Sequence, residues 1–125
     1  MIKANDILYL YHYNKCSKSR QVKKFLDIKN ISYIEIDYIN KPLDSNLLKQ
    51  TLETLKNNPS EMIRQNEKTF KELDKNLIFK LEDNLFRIIL TYPILLQRPI
   101  ISLKRNGYIL KSILCRPPEL IEDIV

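Results

Sequence analysis

The chain has 125 residues, of which 44% are hydrophobic and 29% charged, a composition ordinary for a soluble globular protein and sufficient for one compact domain, residues 1–125, with a two- or three-layer core. Its single glycine, Gly107, excludes a glycine-rich phosphate loop and a dinucleotide fingerprint, both of which need closely spaced glycines. Two cysteines and one histidine exclude a four-ligand zinc site. The net charge of +6 is dispersed, with adjacent basic pairs at Lys23-Lys24 and Lys104-Arg105 and no basic stripe interleaved with aromatics, so it favours an anionic small-molecule substrate over nucleic acid.

No run approaches the ~18 apolar residues of a membrane helix. Met1–Asp6 leads almost directly into a strand and lacks signal-peptide anatomy, so a cytoplasmic protein is expected, with Cys16 and Cys115 as free thiols.

Ile7–Tyr11 is a short apolar run that reads as a buried strand, followed from Ser17 to Lys29 by Val22, Phe25, Leu26 and Ile28 near helical spacing. Ile31–Tyr38 alternates and is rich in β-formers, which predicts a second strand. After the Asn40-Lys41-Pro42 turn, Asp44 or Ser45 can cap a helix from about Asn46 to Lys56, and Asn57–Ser60 breaks it. Ser60 to Leu90 is helical in tone, ending in an apolar helix over Glu82–Tyr92 that Pro93 terminates or bends. Pro99–Leu103 and Tyr108–Leu110 flank Asn106-Gly107, a strong hairpin signal because both residues tolerate positive φ. Pro117-Pro118-Glu119 opens a last short helix through Ile124. The summed order, β-α-β-α, a helical insert, then β-β-α, predicts an α/β sandwich whose first two strands are parallel.

Cys16 falls where the first strand hands over to the first helix, with Ser17 or Ser19 near the cap. Unpaired backbone N–H groups and the positive end of the helix dipole meet there. A free cysteine, with a pKa of about 8.5, is only ~3% thiolate at pH 7, and that position lowers the pKa. Cys16 is therefore read as an activated nucleophile. Cys115 reads as a packed thiol, and Tyr9, Tyr11, Tyr33 and Tyr38 as core and edge packing.

This order, with a cysteine after the first strand and a proline before the third, resembles the thioredoxin-like fold, a three-layer sandwich with a mixed four-stranded sheet and here a helical insertion. His12-x-x-x-Cys16-x-x-Ser19-Arg20 resembles the active-site loop of the glutaredoxin-coupled arsenate reductases. The segment from Tyr92 to Ile101 is similar to their HPILxxRPI motif, with Tyr92 replacing the usual histidine. Leu114–Glu119 resembles their LCRPxE motif, and Met62–Asn66 their LLRxN patch. The resemblance runs from the first strand to the last helix.

That resemblance implies reduction of arsenate to arsenite through a thiol–arsenate adduct, with glutathione as co-substrate, glutaredoxin as partner, and no metal, nucleotide, nucleic acid or membrane. It puts the nucleophile on Cys16, the thiolate-stabilising pair on His12 and Ser19, and the oxyanion-holding arginines on Arg64, Arg98 and Arg116. The proline facing the cysteine, usually cis in that family, falls on Pro99. The chemistry suits these residue types. A thiolate approaching a di-anionic oxyanion needs cations, and guanidinium stays charged and matches two oxygens at once. Arg20 can bind anion or cap a helix face.

Three rivals are open to comparison. A redox regulator of the same superfamily, binding RNA polymerase, resembles this chain in fold and in the insert arginine but uses a Cys-x-x-Cys switch, where this chain has Ser19. A glutathione-dependent thiol oxidoreductase with a different substrate would use the same nucleophile. The phosphatase-like arsenate reductases need Cys-x5-Arg, and Val22 occupies that position.

Overall fold

The computed structural model describes residues 2–125. The chain runs β1 (Ile7–Tyr11), α1 (Ser17–Ile28), β2 (Ile34–Ile36), α2 (Ser45–Thr54), α3 (Pro59–Met62), α4 (Lys68–Lys71), α5 (Lys75–Phe79), α6 (Leu81–Thr91), a 3₁₀ turn (Pro93–Leu95), β3 (Ile100–Arg105), β4 (Tyr108–Leu114) and a second 3₁₀ segment (Pro118–Asp123). The sheet order is β2-β1-β3-β4, with β1 parallel to β2 and antiparallel to β3, and β3 antiparallel to β4. It is the mixed four-stranded sheet of the thioredoxin-like fold, with helical insertions.

Strand alternation divides the core between the two faces of the sheet. Leu8 and Leu10 of β1 and Ile101 and Leu103 of β3 pack with Val22 and Leu26 of α1 and with Ile121 and Ile124. Tyr11 and Ile100 point to the other face, where they meet Leu48 of α2 and Leu85, Ile88 and Ile89 of α6. Each such fully buried aliphatic side chain contributes about 1.5–3 kcal/mol of transfer free energy. The α2 side of the sheet also holds a chain of hydroxyls that periodicity does not announce. Tyr11 Oη is 2.8 Å from Thr51 Oγ1, Thr51 Oγ1 3.1 Å from Ser102 Oγ, Ser102 Oγ 2.8 Å from Ser112 Oγ, and Ser112 Oγ 2.7 Å from Thr54 Oγ1. Each member satisfies its neighbour, so these polar groups are tolerated where water is excluded.

Several boundaries differ from expectation. β2 keeps three residues of the eight predicted, pairing Tyr9–Tyr11 with Ile34–Ile36. The Asp37 carboxylate turns the chain by accepting the Asn40 N–H at 3.2 Å, and Tyr38 is thereby carried out of the strand and into the core. β3 and β4 run longer than their apolar cores because the hairpin turn sets their register: Asn106 has φ 53° and Gly107 φ 85°. The last segment is 3₁₀ rather than α-helix, a single short piece whose Ile121 packs against the α1 face. The insert breaks into three short helices before α6. Among the described residues no helix is long and apolar enough to cross a membrane, and no group of three or more His, Cys, Asp and Glu side chains is placed to hold a metal ion.

Candidate functional site

Cys16 is itself the N-cap of α1, with extended φ and ψ of −93° and 122°, and Ser17 and Ser19, expected near the cap, lie in the first turn of the helix. Its N–H donates to the Tyr13 carbonyl at 2.9 Å and its carbonyl accepts from Arg20 N–H at 3.1 Å, which fixes the loop between β1 and α1. Arg20 holds the same loop from outside, Nη1 donating to the Asn14 carbonyl at 2.8 Å. The thiol is half-buried. Burial pushes its pKa up, but the N–H and hydroxyl of Ser19, the N–H of Lys18 and the Arg98 guanidinium outweigh this, and the net shift is downward. These are the free donors of a helix N-terminus acting on an anion at the cap. Cys115, by contrast, is buried, and desolvation pushes its thiol up to about 12.

Backbone pairing gathers the arginines. The segment 62–64 forms a short antiparallel bridge with 95–97: Ile63 pairs with Leu96, Arg64 N–H donates to the Leu95 carbonyl at 2.8 Å, and Gln97 N–H to the Met62 carbonyl at 2.9 Å. Arg64 is thus carried from the insert to the segment that precedes β3, where its Nε donates to Glu67 and its Nη1 to Gln97, both at 3.1 Å. The Arg98-Pro99 and Arg116-Pro117 peptide bonds are both cis. These two dipeptides lie side by side, because Cys115 N–H donates to the Pro99 carbonyl at 2.9 Å and Arg116 Nη1 to the Arg98 carbonyl at 2.7 Å.

Arg98 is only 4% exposed. Its guanidinium lies 4.7 Å from the Tyr13 ring centroid and donates through Nη1 to the Ile94 carbonyl at 3.0 Å, while Nε has no partner. Among the described residues no carboxylate forms an ion pair with it. A buried cation without a counter-ion is costly, and a bound anion removes that cost.

The same deficit recurs around it. Among the described residues, four buried side-chain nitrogen or oxygen atoms lack a hydrogen-bond partner: His12 Nδ1, Ser19 Oγ, Tyr38 Oη and Arg98 Nε. His12 and Ser19 flank Cys16 in the chain, and their side chains are 4% and 0% exposed. The Ser19 hydroxyl acts on the thiol without ordinary hydrogen-bond geometry. Buried polar groups are rarely left unpaired, so a bound water or ligand is expected to supply these partners. His12 also lines a cavity of about 330 Å³ with Tyr13, Asn14, Lys15, Glu35, Asp37, Ile39 and Asn40.

The sequence-predicted residues therefore fall into an inner and an outer group. Ser19 and Arg98 act on the Cys16 thiol at the start of α1, while His12 is buried at the end of β1 and lines the neighbouring cavity. Arg116 reaches the backbone of Arg98, and Arg64 stands beside Gln97, already engaged by Glu67. Tyr38 was missed. Its position in a β-rich run signals packing, and nothing in the run marks a hydroxyl without a partner.

Residues 11–124 match the ArsC family. The chain is 32% identical over 117 residues to the protein YfgD of Escherichia coli K12, covering 93% of this chain and 94% of that protein. It is 33% identical over 92 residues to the global transcriptional regulator Spx 1 of Oceanobacillus iheyensis, covering 74% and 70%. Among solved structures, an arsenate reductase from Vibrio cholerae superimposes with a TM-score of 0.77 at 31% identity, covering 95% of this chain and 98% of that one.

Proposed function

The chain belongs to the ArsC family, and from that premise we propose that it reduces arsenate to arsenite with electrons from glutathione and glutaredoxin. One observation carries this reading: a thiol with a lowered pKa stands beside a buried arginine that, among the described residues, has no carboxylate partner, and beside further polar groups without partners. That set wants an anion with several acceptor oxygens within reach of sulfur.

In this reading the oxyanion binds first, its charge met by Arg98 and, from the rim, by Arg64 and Arg116. The Cys16 thiolate attacks arsenic, a sulfur–arsenic bond forms, and one oxygen leaves as water after protonation, with His12 as the donor. Glutathione then displaces a second oxygen. Glutaredoxin attacks the glutathionyl sulfur, so two thiols are oxidised to one mixed disulfide while arsenic(V) becomes arsenic(III), and hydrolysis of the remaining sulfur–arsenic bond frees arsenite and Cys16. Pro99, the cis residue before β3, is the proline that this reading sets facing Cys16.

Ser19 also bears on the regulator reading that the likeness to Spx 1 raises. A Cys-x-x-Ser loop cannot close a disulfide within itself, so a switch of that kind is unsupported here.

The test is arsenate-dependent NADPH oxidation with glutathione, glutathione reductase and glutaredoxin. Wild-type protein turns over and Cys16→Ser does not. Turnover that survives Cys16→Ser refutes the assignment. Turnover of glutathione mixed disulfides with none of arsenate identifies a thiol oxidoreductase with another substrate.

A further inference from the structure

Among the described residues, three of the four buried, unpartnered side-chain atoms belong to residues that the sequence already singles out as site candidates. The fourth, Tyr38 Oη, has been given no task. The Tyr38 side chain is 1% exposed and lies among Tyr11, Leu48 and the α6 core, its ring 6.3 Å from that of Tyr11. Phenylalanine would fill this role. The hydroxyl is what needs explaining, because a buried O–H without an acceptor is disfavoured relative to a methine of the same shape.

Its surroundings point one way. The charged groups that act on the Tyr38 phenol are Arg98, Arg64 and Cys16, which are the inner arginine, the insert arginine and the nucleophile. The Arg98 guanidinium acts on the phenol as a hydrogen-bonding neighbour, yet among the described residues neither Tyr38 Oη nor Arg98 Nε has a partner in ordinary hydrogen-bond geometry. The phenol oxygen can accept from Arg98, but the guanidinium has no lone pair to take the phenol's own proton, so the Tyr38 O–H still needs an acceptor, and an anion beside Arg98 supplies one.

Building on the oxyanion reading of the site, we propose that Tyr38 is a substrate-binding residue whose hydroxyl donates to an oxygen of the bound tetrahedral anion alongside Arg98. Burial holds the phenolic proton on, with the two guanidiniums only partly opposing it, so the group stays a neutral donor wherever the thiol is ionised. A neutral donor binds the anion without adding to the uncompensated positive charge that Arg98 already brings into the core.

The experiment compares wild type with Tyr38→Phe, which removes one oxygen and keeps the ring. Each protein is alkylated at Cys16 with iodoacetamide over a series of phosphate, sulfate and arsenate concentrations, normalised to its own rate without anion, and its Tm is recorded. The expected result is an unchanged or raised Tm with a half-protecting concentration increased roughly 10- to 100-fold, the worth of a hydrogen bond to a charged group. An unchanged half-protecting concentration overturns the proposal, as does a fall in Tm or loss of folding, which would give the hydroxyl a structural partner. Phosphate protection weakened by Tyr38→Phe, with no arsenate turnover in wild type, upholds the Tyr38 assignment and overturns the arsenate reading. Wild type that no anion protects overturns both.

Discussion

Replacing Arg98 with methionine separates a binding arginine from a structural one. Arg98 is 4% exposed and has no carboxylate partner among the described residues. Taking a charge out of water costs several kcal/mol. Apart from its neighbours Tyr38 and the Cys16 thiol, what it gains in return is one hydrogen bond to Ile94 and a position 4.7 Å from the Tyr13 ring centroid, worth about 1 kcal/mol and about 0.5–2 kcal/mol. Those gains fall short of the cost, so Arg98→Met, which fills much of the volume without the charge, is expected to leave Tm unchanged or raise it. The same change removes charge-assisted bonds to the oxyanion of about 1.5–3 kcal/mol each. Half-protection of Cys16 by arsenate or phosphate then moves to concentrations roughly 10- to 150-fold higher for one lost bond. The thiol pKa rises as well, since Arg98 is among the groups that lower it. The assay pairs a thermal melt with iodoacetamide alkylation at several anion concentrations and pH values. A large fall in Tm with protection intact would refute the reasoning, because Arg98 would then be holding the fold together and not waiting for a ligand.

Two further outcomes follow from electrostatics. Ser19→Ala removes one of the donors that lower the Cys16 pKa and leaves the Ser19-position N–H in place, so alkylation at neutral pH slows several-fold and its pH midpoint moves up; an unmoved midpoint would mean that the hydroxyl does not act on the thiolate. Asp6 accepts from Arg105 Nε at 2.8 Å and Nη2 at 2.7 Å, and chiefly this pairing lowers its pKa from 3.8 to about 2. A carboxylate depressed in the fold contributes stability that is present above its unfolded pKa and is lost as pH falls from 3.8 toward about 2. Asp6→Asn therefore flattens the stability–pH profile across that window in denaturant melts, and parallel profiles for the two proteins would remove the ion pair from the account.

What the sequence disclosed, and what it withheld, follows from the range of the interactions. The strand-to-helix junction at Cys16 is local: an apolar run, a cap position and a helical repeat lie within about twenty residues, and periodicity reads them. The hairpin is local too, because Asn106 and Gly107 alone supply the two positive φ angles. Arg64 is different. It reaches the site through a backbone bridge between Ile63 and Leu96, a pairing with no signature in either segment, so only a family resemblance anticipates it. Tyr38 is harder still. Its β-rich context overstates the strand, Asp37 ends that strand early, and the missing partner of a hydroxyl is a property of the folded interior. The hydroxyl chain from Tyr11 to Thr54 was invisible for the same reason, since serine and threonine at strand and helix positions do not say what they face.

Crystals grown with wild-type protein and soaked in arsenate test the central claim most directly. Density for a tetrahedral group bonded through arsenic to the Cys16 sulfur is predicted, with its oxygens met by Arg98 and the Tyr38 hydroxyl. An unmodified Cys16, with arsenate bound elsewhere or absent while those donors remain unfilled, would contradict it.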